Sequence, residues 1–149
     1  MNINDSQVKK LSIKIFLMLL TFSVYSEEKP LSNFNDFLWK NRIVLIWTTT
    51  PSLYQDLLYQ SKNEFQDRDI YWFIINESRV LTNYTGNISK EFIINANSKR
   101  TIHKSNVVLI GKDGLVKNSD KILNLDYLFD RIDSMPMRIN EMKPKKTDN

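Results

Sequence analysis

Three uninterrupted apolar segments of strand length constrain the fold of this chain more than any other feature. They are residues 43–47, 70–75 and 107–110, and every side chain in them is β-branched, aromatic or leucine, between polar or turn neighbours. A strand that is apolar on both faces is typical of a sheet that is covered on both sides. The sequence therefore predicts an α/β protein whose central sheet carries helices on each face.

A tight turn follows the third apolar segment. Residues 111–114 have the sequence Gly-Lys-Asp-Gly, in which glycine supplies positive φ angles and aspartate accepts hydrogen bonds from the turn backbone. Residues 115–117 then return as a partner strand, so we expect a β-hairpin at this point of the chain.

Two helices are indicated by apolar residues at helical spacing and by their end signals. The first covers residues 51–66, where Thr50 is expected to cap the helix and Pro51 to begin it. The second is expected to be capped by Asn124 and ended by Pro136. Helices in these places cover the sheet between and after the predicted strands.

Two shorter helices, at residues 31–41 and 89–96, complete the predicted elements. A pair of strands joined through a helix is expected to be parallel with a right-handed crossover, whereas the later pair is a hairpin. The order of elements predicts a thioredoxin-like fold, in three α/β/α layers with a mixed four-stranded sheet.

The first 26 residues have the parts of a secretory signal peptide. Lys9, Lys10 and Lys14 form a basic segment, residues 15–24 are uncharged, and cleavage is expected after Ser26. The uncharged segment is too short to cross a membrane, which takes about 20 apolar residues. We therefore expect an exported protein, periplasmic or secreted, with no stable membrane anchor after cleavage.

The rest of the chain is expected to form one domain, residues 27–143, followed by a basic tail at residues 144–149. The formal net charge is +4 and owes much to the lysines of the signal peptide, so the domain lacks the concentrated basic face of nucleic-acid-binding proteins. The chain has no cysteine, which excludes thiol redox chemistry and lipid attachment at a lipobox. Its single histidine, His103, is expected on the surface and offers no metal site, and no cofactor is indicated.

Several short motifs resemble one known family. They are Trp-Lys-Asn-Arg at residues 39–42, Arg-Asp at 68–69, Gly-Lys-Asp-Gly at 111–114, Leu-Phe at 128–129, Ile-Asp-Ser-Met-Pro-Met-Arg at 132–138 and Glu-Met at 141–142. The chain resembles the family of the domain of unknown function 4174, which also occurs in vertebrate extracellular-matrix proteins with sushi repeats and in the protein called down-regulated by oncogenes. The resemblance implies a thioredoxin- or peroxiredoxin-like fold, export and no established biochemical activity. Leu115 departs from the family, in which a second glycine is usual at that position.

Four residues of these motifs are candidates for a binding or a structural role: Lys112, Asp113, Arg138 and Glu141. In the structural interpretation, Asp113 accepts turn hydrogen bonds, and Arg138 pairs with Glu141 three residues later. We also expect residues 135–141 to be ordered against the domain, with one of their methionines buried and Arg138 bound to a carboxylate or a carbonyl.

Two functions are compatible with these observations. The first is an exported, non-catalytic thioredoxin-like module, binding or structural, whose partner is an unknown protein or an envelope or matrix ligand. The alternative is a periplasmic enzyme without thiol chemistry that uses a carboxylate or hydroxyl site above the first helix, near residues 48–52. A pocket with convergent polar groups would favour the enzyme, and an exposed apolar or aromatic patch would favour the module.

Overall fold

A computed structural model describes residues 29–77 and 79–144. The predicted signal peptide, residues 1–26, and residues 145–149 of the predicted tail lie outside the described residues. No helix in the described part of the chain is long and apolar enough to cross a bilayer.

The described residues contain a mixed five-stranded sheet. Its strands are β1 (Arg42–Trp47), β2 (Ile70–Asn76), β3 (Arg79–Thr82), β4 (Val107–Ile110) and β5 (Val116–Asp120). They lie in the order β3-β2-β1-β4-β5, in which β1 is parallel to β2 and every other pairing is antiparallel. The predicted α/β class, the parallel first pair and the hairpin are confirmed, but the sheet has five strands rather than the predicted four.

The additional strand is β3, at the edge of the sheet. It pairs with β2 from Asn76 opposite Arg79 to Phe73 opposite Thr82, and its residues are half-buried or exposed. The side-chain amide of Asn83 then accepts a hydrogen bond from the backbone N–H of Trp72 (2.9 Å) and donates one to the carbonyl of residue 70 (3.0 Å). An edge strand of this kind depends on its partner, and its own hydrophobic pattern does not reveal it.

Helices cover both faces of the sheet. Within the described residues they are α1 (Pro51–Gln60), α2 (Lys62–Asp67), α3 (Lys90–His103), α4 (Leu125–Asp133) and α5 (Pro136–Glu141), with a 3-10 helix at Phe34–Phe37. The helix predicted over residues 51–66 is divided at Ser61, and the one predicted over 89–96 extends to His103.

The predicted helix ends agree with the structure to different degrees. Asn124 caps α4 as predicted, since its side chain accepts the N–H of Tyr127 at 3.0 Å. Thr50 makes no side-chain cap bond, and its own N–H donates to the hydroxyl of Thr48 at 3.1 Å. Pro136 occupies the first turn of α5, so it begins the last helix as well as following the end of α4.

The core lies on both sides of the sheet, which makes the domain three-layered. Val44 and Ile46 of β1 face one side, where they cluster with Leu58, Phe65 and Leu128 of α1, α2 and α4. The alternate residues of β1 face α3 and the 3-10 helix on the other side. The alternation follows from the two-residue period of a strand and explains why β1 is apolar at every position after the first.

Trp39 lies outside this core, although the pattern of residues 31–41 predicted it on the apolar face of a helix. The 3-10 helix ends at Phe37, and Trp39 has a φ of 62° and a side chain that is 69% exposed. Its backbone N–H donates to the carbonyl of Lys112 at 2.7 Å. The chain therefore turns before Trp39, and the indole faces solvent beside the hairpin turn.

Candidate functional site

The charged residues of the sequence motifs come together at one end of the sheet. This is the end at which β1 and β2 begin and β4 finishes, because Arg42 pairs with Ile70 and Ile43 pairs with Ile110. The hairpin turn carries Lys112 past this end, and α5 packs across it. Residues far apart in the sequence thus become neighbours.

A network of ion pairs fills this end of the domain, and we call it the ion cluster. Its carboxylates are Glu64, Asp67, Asp69, Asp133 and Glu141. Its cations are Arg42, Arg68, Lys112 and Arg138, none of which is more than 9% exposed. A buried charge is tolerated only where partners replace its water, so these cations depend on the carboxylates around them.

Glu141 attaches α5 to the sheet and to the hairpin turn. Its carboxylate lies 3.1 and 3.3 Å from the two terminal nitrogens of Arg42 and 2.8 Å from Nζ of Lys112. Lys112 also reaches Asp69 at 2.7 Å, and Arg42 donates to the carbonyl of Arg68 at 2.8 Å. One carboxylate therefore connects β1, the turn after β4 and the last helix.

Asp133 is the second connecting carboxylate. Arg68 binds it through two parallel contacts, Nε to Oδ1 at 3.0 Å and Nη2 to Oδ2 at 2.5 Å, and Arg138 adds Nε to Oδ1 at 3.1 Å. Arg138 continues to Asp67, bonding both its carbonyl oxygen and its carboxylate. Arg68 also stacks over the ring of Phe129 at 4.7 Å. The segment between α2 and β2 is thereby tied to the end of α4 and to α5.

These contacts keep the carboxylates ionised. Burial opposes ionisation of Glu141, but hydrogen bonds from Lys112 and Arg42 outweigh it and lower its pKa. The same balance of burial against the Arg68 and Arg138 hydrogen bonds lowers the pKa of Asp133. Both pKa values move away from neutrality, so neither carboxyl group is suited to proton transfer near pH 7.

The structure separates the four candidate residues into two groups. Lys112, Arg138 and Glu141 belong to the ion cluster, but Arg138 contacts the aspartates more closely than Glu141, which lies 4.0 Å away. Asp113 lies in the turn, where it pairs with Lys117 at 2.5 Å and accepts the N–H of Leu115 at 3.2 Å.

The residues around Arg138 form α5, and its two flanking methionines differ in burial. Met135 is half-buried and packs on the core, whereas Met137 is 37% exposed. The segment is thus held against the domain mainly by its charged contacts.

Most members of the ion cluster were not predicted from the sequence as site residues. Arg42 and Arg68 appeared only as letters of family motifs, and Asp133 only as part of the motif before Pro136. The one available signal was an arginine placed directly before an uninterrupted apolar strand, because a charge there must be buried with a partner.

A cavity of about 390 Å³ opens beside the ion cluster. It lies between the hairpin turn and the segment that joins α4 to α5, with Lys112 and Lys117 on one side and Arg131 and Met135 on the other. Arg42 contributes to its lining as well. It therefore adjoins charged residues of the sequence motifs, among them Arg42, Lys112 and Asp113.

The opposite end of the sheet holds the hydroxyl groups considered for an enzyme. Thr48 and Thr50 place their hydroxyl oxygens 3.3 Å apart, and Trp47 donates to the side chain of Asn97 at 2.8 Å. Within the described residues, no carboxylate or imidazole bonds to these hydroxyl groups, so nothing there activates them as nucleophiles. His103 is half-buried at the end of α3, and the described residues contain no cluster of potential metal ligands.

Comparison with known proteins gave one match. A family model described as a domain of unknown function (DUF4174) matches residues 33–141. The matched segment runs from the residue that caps the 3-10 helix to the last residue of α5, so it contains all five strands and the whole ion cluster. No curated protein and no solved structure matches the chain.

Proposed function

The chain belongs to the family of the domain of unknown function DUF4174, and on that premise we propose that it is an exported, non-catalytic module that binds a protein or another ligand of the envelope or matrix. The observation that carries this proposal is the ion cluster, in which all four buried cations form ion pairs with carboxylates of the same domain. Charged side chains used in this way hold the scaffold together.

Catalysis requires at least one group that changes protonation or attacks a substrate under working conditions. The lowered pKa values of Glu141 and Asp133 argue against proton transfer at the ion cluster. At the other end of the sheet, the hydroxyl groups of Thr48 and Thr50 contact each other and lack a base among the described residues. The alternative of a hydroxyl- or carboxylate-based enzyme therefore has less support.

Two exposed apolar side chains, one beside the hairpin turn and one at its end, support a binding role. Trp39 is 69% exposed and Leu115 is 62% exposed. Both are fixed to the same turn, since Trp39 N–H donates to the Lys112 carbonyl at 2.7 Å and Leu115 accepts from Gly111 N–H at 2.9 Å. Trp39 also has a φ of 62°, which is costly for a residue with a β-carbon and has to be supported by its surroundings. An exposed tryptophan whose backbone is fixed in this way is typical of a contact residue in a binding surface.

Export is tested by mass spectrometry of the protein recovered from cell fractions. We expect a mature chain that begins at Glu27 in the periplasmic or secreted fraction. Recovery of the full-length chain from the cytoplasm would refute the proposed export, whatever the binding properties of the domain.

Binding is tested by cross-linking capture from the envelope or secreted fraction with three forms of the protein. The wild type and Ile102→Ala, a control that removes a side chain 69% exposed on α3, are expected to capture the same partner. Trp39→Ala is expected to lose it while keeping the wild-type circular dichroism spectrum. Equal capture by all three forms, or by none of them, would show that the Trp39 surface is not a binding site.

A further inference from the structure

The cavity beside the ion cluster has an unusual balance of charge. At about 390 Å³ it has the size of a site for a small molecule. Four cations contribute to its lining against a single carboxylate, that of Asp113. The cations are Arg42, Lys112, Lys117 and Arg131.

Three of these cations already have carboxylate partners. Lys117 pairs with Asp113 at 2.5 Å, whereas Arg42 and Lys112 share Glu141. Lys112 has Asp69 in addition. These pairs leave little uncompensated charge on that side of the cavity.

Arg131 is the exception. Its guanidinium is exposed and forms no ion pair or hydrogen bond with any side chain or backbone group in the described part of the chain. One cation without a partner beside three paired ones suits a ligand with a single negative charge better than one with two or more.

Arg42 supplies an independent sign that an acceptor is missing. Its side chain is 1% exposed, and its Nε–H is buried with no hydrogen-bond partner among the described groups. A buried donor without an acceptor costs about 1–3 kcal/mol, so such groups in native proteins normally meet a protein atom, a water or a ligand. Arg42 is also among the residues that line the cavity.

The remaining wall of the cavity is largely apolar. Met135, Pro136 and Met137 line it next to the two arginines. Methionine side chains adapt to aliphatic groups of differing shape. A ligand that matches this wall has a hydrocarbon portion as well as its charge.

From these contacts we propose that the cavity binds a small organic carboxylate, with its carboxyl group directed to Arg131 and its aliphatic part against the methionines. The proposal rests on the proposed function in one respect, that the protein binds its ligands and does not transform them. The cavity is a second site, separate from the exposed surface at Trp39 and Leu115, and the two sites are tested separately.

The test is a titration of the purified protein with hexanoate, followed through the backbone amide signals in NMR spectra. We expect hexanoate to shift the amide signals of Gly111 and of the residues from Arg131 to Met137 other than Pro136, which has no amide proton, in a saturable way. Hexanol, which has the chain without the charge, and inorganic phosphate, which has the charge without the chain, are expected to bind at least about tenfold more weakly. If phosphate binds as well as hexanoate, or if hexanoate shifts no signals, the assignment to organic carboxylates is wrong.

Variants locate the ligand charge. Arg131→Gln is expected to weaken hexanoate binding by about tenfold, whereas Arg131→Lys, which keeps the charge without the guanidinium fork, is expected to weaken it less. Arg100→Gln is the matched control, since Arg100 is an exposed arginine at the opposite end of the sheet, and it is expected to bind as the wild type does. Unchanged affinity in Arg131→Gln would overturn the proposal. Trp39→Ala is expected to bind hexanoate normally, so loss of partner capture and loss of carboxylate binding distinguish a failure of the proposed function from a failure of this site.

Discussion

Replacing Asp133 with asparagine removes one negative charge from the ion cluster with little change in shape. Asp133 accepts three hydrogen bonds, two from Arg68 and one from Arg138, and these two arginines are only 9% and 6% exposed. Asparagine keeps one oxygen but presents an NH₂ group to the second contact with Arg68. In that contact two N–H donors then face each other, and the other two hydrogen bonds are weakened because their acceptor no longer carries a negative charge.

The expected cost follows from these three contacts. A hydrogen bond to a charged group contributes about 1.5–3 kcal/mol, so loss of one such bond and weakening of two others predicts roughly 3–5 kcal/mol in a dry site. The Asp133 side chain is 30% exposed, and each arginine keeps a further partner, Glu64 for Arg68 and Asp67 for Arg138. We therefore expect Asp133→Asn to lower the free energy of unfolding by about 2–4 kcal/mol, a large fraction of the typical stability of a domain.

Urea denaturation followed by tryptophan fluorescence measures this difference, because Trp47 and Trp72 are buried in the core and report its loss. Asp130→Asn is the control, since Asp130 lies exposed on the same helix and its side chain bonds to no described group. We expect the control to stay within about 0.5 kcal/mol of the wild type. If Asp133→Asn costs no more than this control at an unchanged m-value, the ion cluster does not hold α4 and α5 in place and the argument above is wrong.

Three further predictions concern the same end of the domain. Arg138→Ala is expected to lower the free energy of unfolding, measured in urea, by about 1–3 kcal/mol, because it leaves Asp133 with one partner fewer. Arg131→Ala, the control, is expected to change it by less than about 0.5 kcal/mol, and equal effects would contradict the buried role of Arg138. Gly114→Ala is expected to cost about 1–2 kcal/mol, since its φ is +76° and an added β-carbon would lie 2.7 Å from Cδ2 of Leu38, and a neutral result would show that the turn relaxes freely. The ion cluster lowers the pKa of Asp133 and Glu141, so these groups contribute stability that is complete above their unfolded pKa values, near pH 4, and is lost as the pH falls through the lower folded values. The urea midpoint of the wild type should therefore fall more steeply below about pH 4 than that of Asp133→Asn. Parallel pH profiles would contradict this.

Local sequence was sufficient to predict a structural feature wherever the interaction that determines the feature lies within a few residues. The segment 43–47 is apolar on both faces, and no arrangement other than a doubly covered strand buries both of them. Asn124 caps α4 through a bond to an N–H three residues away, and Gly114 adopts its positive φ within its own turn. The parallel pair β1–β2 and the hairpin β4–β5 were predicted for the same reason, because each joins strands that are neighbours along the chain, whereas the pairing of β1 with β4 was not predicted.

Local sequence was insufficient where a partner from elsewhere in the chain decides the outcome. β3 has only two apolar residues between Arg79 and Thr82 and is half-exposed, and it is a strand because β2 offers it an edge. The helix predicted over residues 51–66 divides at Ser61, a break that its apolar spacing did not signal. Trp39 was assigned to an apolar face by its spacing, whereas the bond from its N–H to the carbonyl of Lys112 places it outside the core.

The ion cluster illustrates the same division most clearly. Several of its charged residues belong to the short sequence motifs, but the motifs do not show which of them pair. Arg42 and Glu141 are 99 residues apart in the sequence, and Arg138 and Asp67 are 71 apart. A buried cation is tolerated only when carboxylates reach it, and whether they do depends on the sheet order that brings the start of β1, the turn after β4 and α5 to one end. The sequence by itself determined which segments become buried strands and which residues carry charge, since these are properties of single segments. Only the tertiary structure decided which charges meet and which cations stay paired, because the strength of an ion pair depends on distance and on exclusion of water, and both are set by packing.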